Sequence, residues 1–323
     1  MDTSKWITDF VNIKKEERER IPISMLTIPG THDSGSAFFS TMVNCSCLPI
    51  AKCQNCGIKE QFELGVRYFD IRIKIEEGEA YVVHDGPCIE CLNQKLALDV
   101  DCYSDEKSEQ RLTLDMVMDS LGELIQKGKY EFAIVNIKLS KSSRGTEKVL
   151  VKILNKYRGL FYTPSTNIPR IMDVANKILL LSRVGILDKC DIDCVNVSNW
   201  DKCIGNIGIA SVSGFQVFIQ DRYTIYNEDI SLKIELIIET MNYANRHLDE
   251  LVLNHASCTN NLNPYSLAQK INPVILSLTK RMSNGVIIMD FVNEQLVRKV
   301  VESNFKRTYM ISDMVYYGFR REF

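Results

Sequence analysis

The chain has 323 residues, a formal net charge of -2, 45% hydrophobic and 25% charged residues, an ordinary globular composition with enough apolar mass for a large core. The near-neutral balance and the lack of a long basic run exclude a nucleic-acid footprint, and no stretch approaches the ~18 consecutive apolar residues that a spanning helix needs. Eleven cysteines are an odd number. Without an export signal a complete disulfide framework is not expected, and a reducing compartment is.

In chain order, residues 1–20 read as an amphipathic N-terminal helix with Trp6, Ile7, Phe10, Val11 and Ile13 on one face, followed by the charged run Lys14 to Arg20. It lacks the apolar centre of a signal peptide. Residues 21–323 read as one domain, with no linker, repeat or composition shift. Eight apolar, β-rich runs recur at 24–28, 66–73, 80–84, 132–139, 177–183, 215–221, 250–257 and 285–291. Most show little strict alternation, as in parallel strands covered on both faces. Helical spacing separates them at 114–128, which ends at Gly128, and at 231–247; 294–305 reads as a closing helix. Strand–helix alternation with eight strands predicts an α/β fold, a single (β/α)8 TIM-type barrel with parallel strands.

The polar residues gather at the ends of these runs. In "LTIPGTHDSGSAFF" the first strand stops at Pro29-Gly30 and presents His32-Asp33. The other ends carry Asp70 and Arg72, His84-Asp85, Lys138, Arg183, Asp221 with Arg222 and Tyr223, His255, and Asp290. A lone His or Asp at a strand end is more often a cap or a surface group. However, three of only four histidines sit at expected strand ends, and in a barrel those ends form the active-site face. Two histidines, an arginine and supporting carboxylates suit phosphoryl transfer involving an internal hydroxyl. One His takes the proton of the nucleophile, the other returns one to the leaving oxygen, and the arginine neutralises the phosphate. A carboxylate behind the first His fixes its tautomer. This chemistry needs no metal.

"TIPGTHDSGS", "GVRYFDIRI", "VVHDGP", "FIQDRYTIYN" and "GVIIMDFVNE", in this order across residues 20–305, resemble the X region of phosphatidylinositol-specific phospholipase C in its small bacterial-type form. The resemblance implies a distorted (β/α)8 barrel that cleaves phosphatidylinositol to diacylglycerol and inositol 1,2-cyclic phosphate. It implies His32 as general base for the inositol 2-hydroxyl, oriented by Asp290. It implies His84 as general acid, assisted by Asp33, and Arg72 as the phosphate cation, with Asp70 holding Arg72 or a neighbour in place. Lys138, Arg183, Asp221 and Tyr223 resemble the inositol pocket. Related eukaryotic enzymes hold Ca2+ near the phosphate; here two comparable positions are Arg72 and Lys138, which cannot ligate it. No cofactor is therefore expected. Arg67 is read as a structural ion-pair partner, His255 as a satisfied structural histidine and His247 as a surface residue.

The expected partners are phosphatidylinositol or a glycosylated phosphatidylinositol anchor and a membrane surface met peripherally, by a monomer in the cytoplasm or on a membrane. Candidate apolar contacts are Phe38, Phe39, residues 47–50 and the loop around Trp200. Cys45, Cys47, Cys53 and Cys56, with Cys88 and Cys91, are read as free thiols first, then as disulfides or acylation sites, then as zinc ligands. A competing class is a non-catalytic inositol-lipid binding module, which would have lost a catalytic histidine. Another is a glycerophosphodiester-type phosphodiesterase, which would need a carboxylate-bound metal.

Overall fold

A computed structural model describes residues 2–37, 51–85, 99–101, 111–185, 187–202, 207–225, 230–259, 263–279 and 284–306. The strands are β1 (Thr27–Thr31), β2 (Tyr68–Glu76), β3 (Glu79–Asp85), β4 (Asp99–Asp101), β5 (Ala133–Leu139), β6 (Ile178–Ser182), β7 (Val195–Asn196), β8 (Ile207–Ile209), β9 (Val217–Gln220), β10 (Leu251–His255) and β11 (Gly285–Met289). Eight of them run parallel in the order β7-β6-β5-β2-β1-β11-β10-β9. β8 adds to β9 antiparallel. Among the described residues, the two ends of the sheet meet at a bridge between Asn196 and Ser213, beside the bond from Val212 N–H to Asn196 C=O (2.7 Å). The result is a barrel closed on one side by a contact instead of a ladder.

Two strand assignments differ from the sequence reading. Residues 80–84 do not form a barrel strand. They lie in β3, which folds back antiparallel on β2 through Glu77-Gly78, both at positive φ, the geometry of a tight hairpin turn. The eighth parallel strand is instead β7, two residues long, too short to leave a periodic signal. The first strand is also displaced. Ile23–Met25 form a 3-10 turn, and β1 runs through Pro29-Gly30 to Thr31. A Cβ on Gly30 would stand 3.0 Å from Tyr68 Cβ and from Val286 Cγ1, so the glycine serves the close approach of β2 and β11 and not a turn.

Helices Ile58–Leu64, Leu114–Leu124, Arg144–Asn155, Ile230–Ala244, Pro264–Leu278 and Glu294–Lys306 lie between or after the strands. Thr113 caps the second by accepting from Met116 N–H (3.3 Å). Near the N-terminus, helix Trp6–Ile13 buries Trp6, Ile7, Phe10 and Val11. Each such side chain contributes about 1.5–3 kcal/mol of burial. Ile13, expected on the same face, is 56% exposed because it is the last residue of that helix. Trp6 Nε1 donates to Gly65 C=O (2.9 Å) and Thr8 N–H to Glu131 Oε1 (2.8 Å). This helix therefore covers the chain leading into β2 and β5, at the barrel end opposite the strand termini discussed next. Arg67, buried against Glu131 (2.6 Å) and over the Phe62 ring, belongs to the same structural layer.

Candidate active site

β1 and β11 are neighbours in register, Thr31 beside Met289, and His32 N–H donates to Met289 C=O (3.1 Å). The next residues along, His32 and Asp290, are thereby forced together. His32 Nδ1 lies 2.9 Å from Asp290 Oδ1, both buried. Asp33 and Phe291, flanking this pair, both hold left-handed backbone (φ 39 and 48). That conformation is tolerable for Asp and strained for Phe, and such strain collects at functional sites. It is held by Ser34 N–H to Asp70 C=O (2.9 Å) and Phe291 N–H to Cys53 C=O (2.7 Å).

β2 supplies Asp70 and Arg72 two residues apart, hence on one face. β5 sets Asn136 and Lys138 beside them in register. Asn136 Nδ2 donates to Asp70 Oδ1 (2.8 Å). Arg72 lies between two carboxylates, its Nε 2.6 Å from Asp33 Oδ1 and its Nη2 3.5 Å from Asp70 Oδ2. The hairpin strand β3 delivers His84, whose Nε2 is 3.0 Å from Asp33 Oδ2. Thus His32, Asp33, Asp70, Arg72, His84 and Asp290 form one cluster, and the displaced strand 80–84 still brings its histidine into it.

The remaining expected residues form an adjoining wall. Asp221, just past β9, accepts from Trp200 Nε1 (2.8 Å). Arg183, just past β6, lies over the Trp200 ring and pairs with Asp201 (2.6 Å). The Tyr223 ring is 5.6 Å from that of His32. Lys138 is half-buried. Trp200 is 1% exposed, which corrects its reading as part of a membrane loop: its indole N–H is committed to Asp221. His255 is buried between the two groups, its ring 5.5 Å from Trp200 and 6.3 Å from His32. Phe38, Phe39, residues 47–50, Cys45, Cys47, Cys88 and Cys91 lie outside the described residues; Cys53 and Cys56 are buried free thiols.

Two further residues complete the site: Gln54, which the sequence did not single out, and Cys53, which it singled out only as one of a group of thiols. Gln54 is buried, and its Nε2 donates to His32 C=O and Met289 C=O (both 2.9 Å), while its Oε1 accepts from Val292 N–H (3.3 Å). It ties the chain carrying His32 to the chain carrying Asp290. Cys53 lies at the centre: its sulfur is within 4.8 Å of ligand atoms of His32 and Asp290, and of Asp33 and His84. A glutamine or cysteine in a loop has no pattern that announces such a role.

The charges set the protonation. Burial raises the Asp33 carboxyl, but Arg72, His84 and His32 overturn this and hold it well below the usual carboxylate range. Burial lowers His32, yet the Asp33 and Asp290 carboxylates raise it from 6.5 to about 9. Asp290 is raised by burial. Arg72 Nη2 stands 2.8 Å from His32 Nε2, and arginine does not give up its proton. In the neutral form of His32 that contact favours the tautomer with Nδ1–H on Asp290 and a bare Nε2, which is what a general base requires. The site therefore combines a high proton affinity with a cation that faces the lone pair of the neutral ring. Burial lowers His255 to about 4, so it stays neutral. Burial raises Asp221, and His255, the Trp200 N–H and nearby cations bring it down to about 2. The arrangement offers a base, a guanidinium and a second imidazole beside a carboxylate, all around one small volume.

No family model matches the chain. It is 27% identical to the 1-phosphatidylinositol phosphodiesterase of Listeria monocytogenes over 295 residues, 87% of this chain and 81% of that protein. Its fold matches the solved phosphatidylinositol-specific phospholipase C from Listeria monocytogenes with a TM-score of 0.67 at 23% identity, covering 94% of this chain and 99% of that one. It also matches a Staphylococcus aureus structure solved for the modulation of that phospholipase's membrane binding, with a TM-score of 0.70 at 20% identity over 94% of this chain and 98% of that one. Over most of its length, in sequence and in barrel topology, the chain is thus similar to the small bacterial phosphatidylinositol-specific phospholipases C.

Proposed function

We propose that the protein is a phosphatidylinositol phosphodiesterase of the phospholipase C type, releasing diacylglycerol and inositol 1,2-cyclic phosphate. The observation that carries this reading is the pair of imidazoles held on one carboxylate–guanidinium unit: His32 and His84 lie 3.4 and 3.0 Å from the same Asp33 Oδ2, whose other oxygen binds Arg72. In the proposed step His32 Nε2 takes the proton of the inositol 2-hydroxyl. The 2-oxygen bonds to phosphorus, the bond from phosphorus to the glycerol oxygen breaks, and that oxygen takes a proton from the His84 imidazolium, which Asp33 would hold in place. Asp290 stabilises the imidazolium that forms. Arg72 spreads over the non-bridging oxygens, and Asp70 holds it.

The reaction is proposed to run without a metal. The guanidinium of Arg72 fills the space between Asp33 and Asp70 that hard cations favour. Lys138, Arg183, Asp221 and Tyr223 are proposed to bind the inositol ring, the cations and the carboxylate through its hydroxyls and the tyrosine through its face. Ile207 and Ile209, each 41% exposed on β8 beside the end of β9, support a peripheral approach to a lipid surface. The test compares diacylglycerol release from phosphatidylinositol and phosphatidylcholine vesicles. Release from phosphatidylinositol alone is expected; equal release from both would remove the inositol subsite from the account.

A further inference from the structure

We propose that Asp33, Cys53 and His84 form a binding site for one thiophilic divalent cation of the zinc class, and that filling it stops the reaction. One ligand atom from each of the three lies within 4.8 Å of the other two, and all three residues are buried. Sulfur, imidazole nitrogen and carboxylate oxygen are the ligand types of zinc. The sulfur biases the set toward zinc or cadmium and away from magnesium or calcium. Cys53 stands as a thiol that donates to Ala51 C=O (3.6 Å); binding releases that proton to solvent, and the resulting thiolate and the Asp33 carboxylate together match the charge of the ion.

The geometry around the three residues favours capture. His84 Nε2 and Asp33 Oδ2 stand 3.0 Å apart, buried and without a hydrogen-bond partner among the described residues, and the ion would sit between them. Arg72 Nε holds the other carboxylate oxygen at 2.6 Å, as an outer partner fixes a metal ligand. The backbone of Cys53 is clamped at both ends: its N–H donates to Ser36 Oγ (3.0 Å) and its C=O accepts from Phe291 N–H (2.7 Å). The sulfur is thereby delivered to the cluster by both the β1 and the β11 loops.

Two other triads of potential ligands are less suited. His32, Cys53 and Asp290 would lose the 2.9 Å bond between His32 and Asp290, and Arg72 stands 2.8 Å from His32 Nε2. His32, Asp33 and Asp70 have the Arg72 guanidinium already bound between the two carboxylates. Binding at Asp33, Cys53 and His84 follows from the ligand set alone. The loss of activity rests on the reading of His84 as the proton donor that Asp33 holds in place.

The probe is Cd2+ added to the full chain and followed by cadmium NMR without substrate. One resonance of mixed, single-sulfur coordination is expected, distinct from the multi-sulfur resonances that neighbouring cysteines would give. It should vanish in Cys53→Ala and in His84→Asn; the second variant keeps every cysteine and serves if the first does not fold. With phosphatidylinositol present, Zn2+ should inhibit the wild type. Cys53→Ala should need more Zn2+ by over about ten-fold, since losing a ligand costs more than losing an outer partner. Absence of the single-sulfur resonance, its survival in both variants, or equal zinc inhibition of wild type and Cys53→Ala would overturn the proposal. A metal result against it would leave the phospholipase reading untouched, because the NMR readout involves no turnover.

Discussion

Arg72 Nη2 stands 2.8 Å from Nε2 of His32, so a permanent cation and a titratable base share one contact. In the neutral form of His32 the guanidinium faces the lone pair of Nε2. Under the proposed mechanism, a phosphate that draws the guanidinium onto its own oxygens would release Nε2 to the inositol hydroxyl, and binding and activation of the base would be coupled through one side chain.

Arg72→Lys should therefore be a severe change. A lysine offers no planar fork to reach Asp33, Asp70 and His32 together. We expect kcat to fall by about 100- to 1,000-fold, the scale of removing one preorganised donor, with a smaller change in KM. A loss of only a few-fold in steady-state assays on vesicles would contradict the central position given to this residue.

The titration of His32 has a definite sign. Its pKa is raised from 6.5 to about 9 by the Asp33 and Asp290 charges, against burial. The stabilisation this gives the fold is complete below the unfolded value and is lost as pH climbs through about 9. The base works in its neutral form, so kcat/KM should rise with pH across the same window. Imidazole NMR should place the wild-type midpoint above 6.5 and find it lower in Asp290→Asn. A wild-type midpoint at or below the ordinary histidine value would show that the two carboxylates do not act as described.

Trp200→Phe tests the proposed inositol wall apart from the chemistry. The change removes the indole N–H that Asp221 accepts at 2.8 Å while keeping an aromatic ring beside Arg183 and His255. A hydrogen bond to a charged group contributes about 1.5–3 kcal/mol, which corresponds to about 10- to 100-fold in affinity. The loss should appear in KM and in weaker inhibition by free myo-inositol, with kcat changed less. An unchanged KM with a collapsed kcat would move Asp221 out of the binding wall.

Gln54→Ala should loosen the catalytic pair without touching it. The carbonyls of His32 and Met289 and the N–H of Val292 lose their partner. Stranded buried polar groups of this kind should cost about 2–3 kcal/mol of stability, read as a lower midpoint in urea unfolding. At a temperature where the variant is folded, kcat should still be reduced, because His32 and Asp290 are no longer held in one register. Wild-type kcat in a destabilised variant would make Gln54 a purely structural clamp.

The parallel runs at 66–73, 132–139, 177–183, 215–221, 250–257 and 285–291 were legible because buried parallel strands are continuous apolar stretches. The run at 80–84 has the same composition, yet it pairs antiparallel through the Glu77-Gly78 turn. β7 was invisible because two residues carry no period. The cluster of His32, Asp33, Asp70, Arg72, His84 and Asp290 was legible because titratable groups at strand ends interrupt apolar runs. Its inner supports were not. Gln54, Cys53 and Trp200 reach the site from loops and a 3-10 turn, where hydrogen-bond partners more than twenty residues away leave no local mark.

The account's central claim is that His32 acts as the base for cyclisation, with Arg72 in place of a metal. A phosphorus NMR time course on phosphatidylinositol vesicles in excess EDTA, with His32→Ala run in parallel, tests it most directly. The account predicts a cyclic phosphodiester resonance that grows with the wild-type protein and does not appear with His32→Ala. Turnover that requires added Ca2+, or a cyclic product formed equally well by His32→Ala, would contradict it.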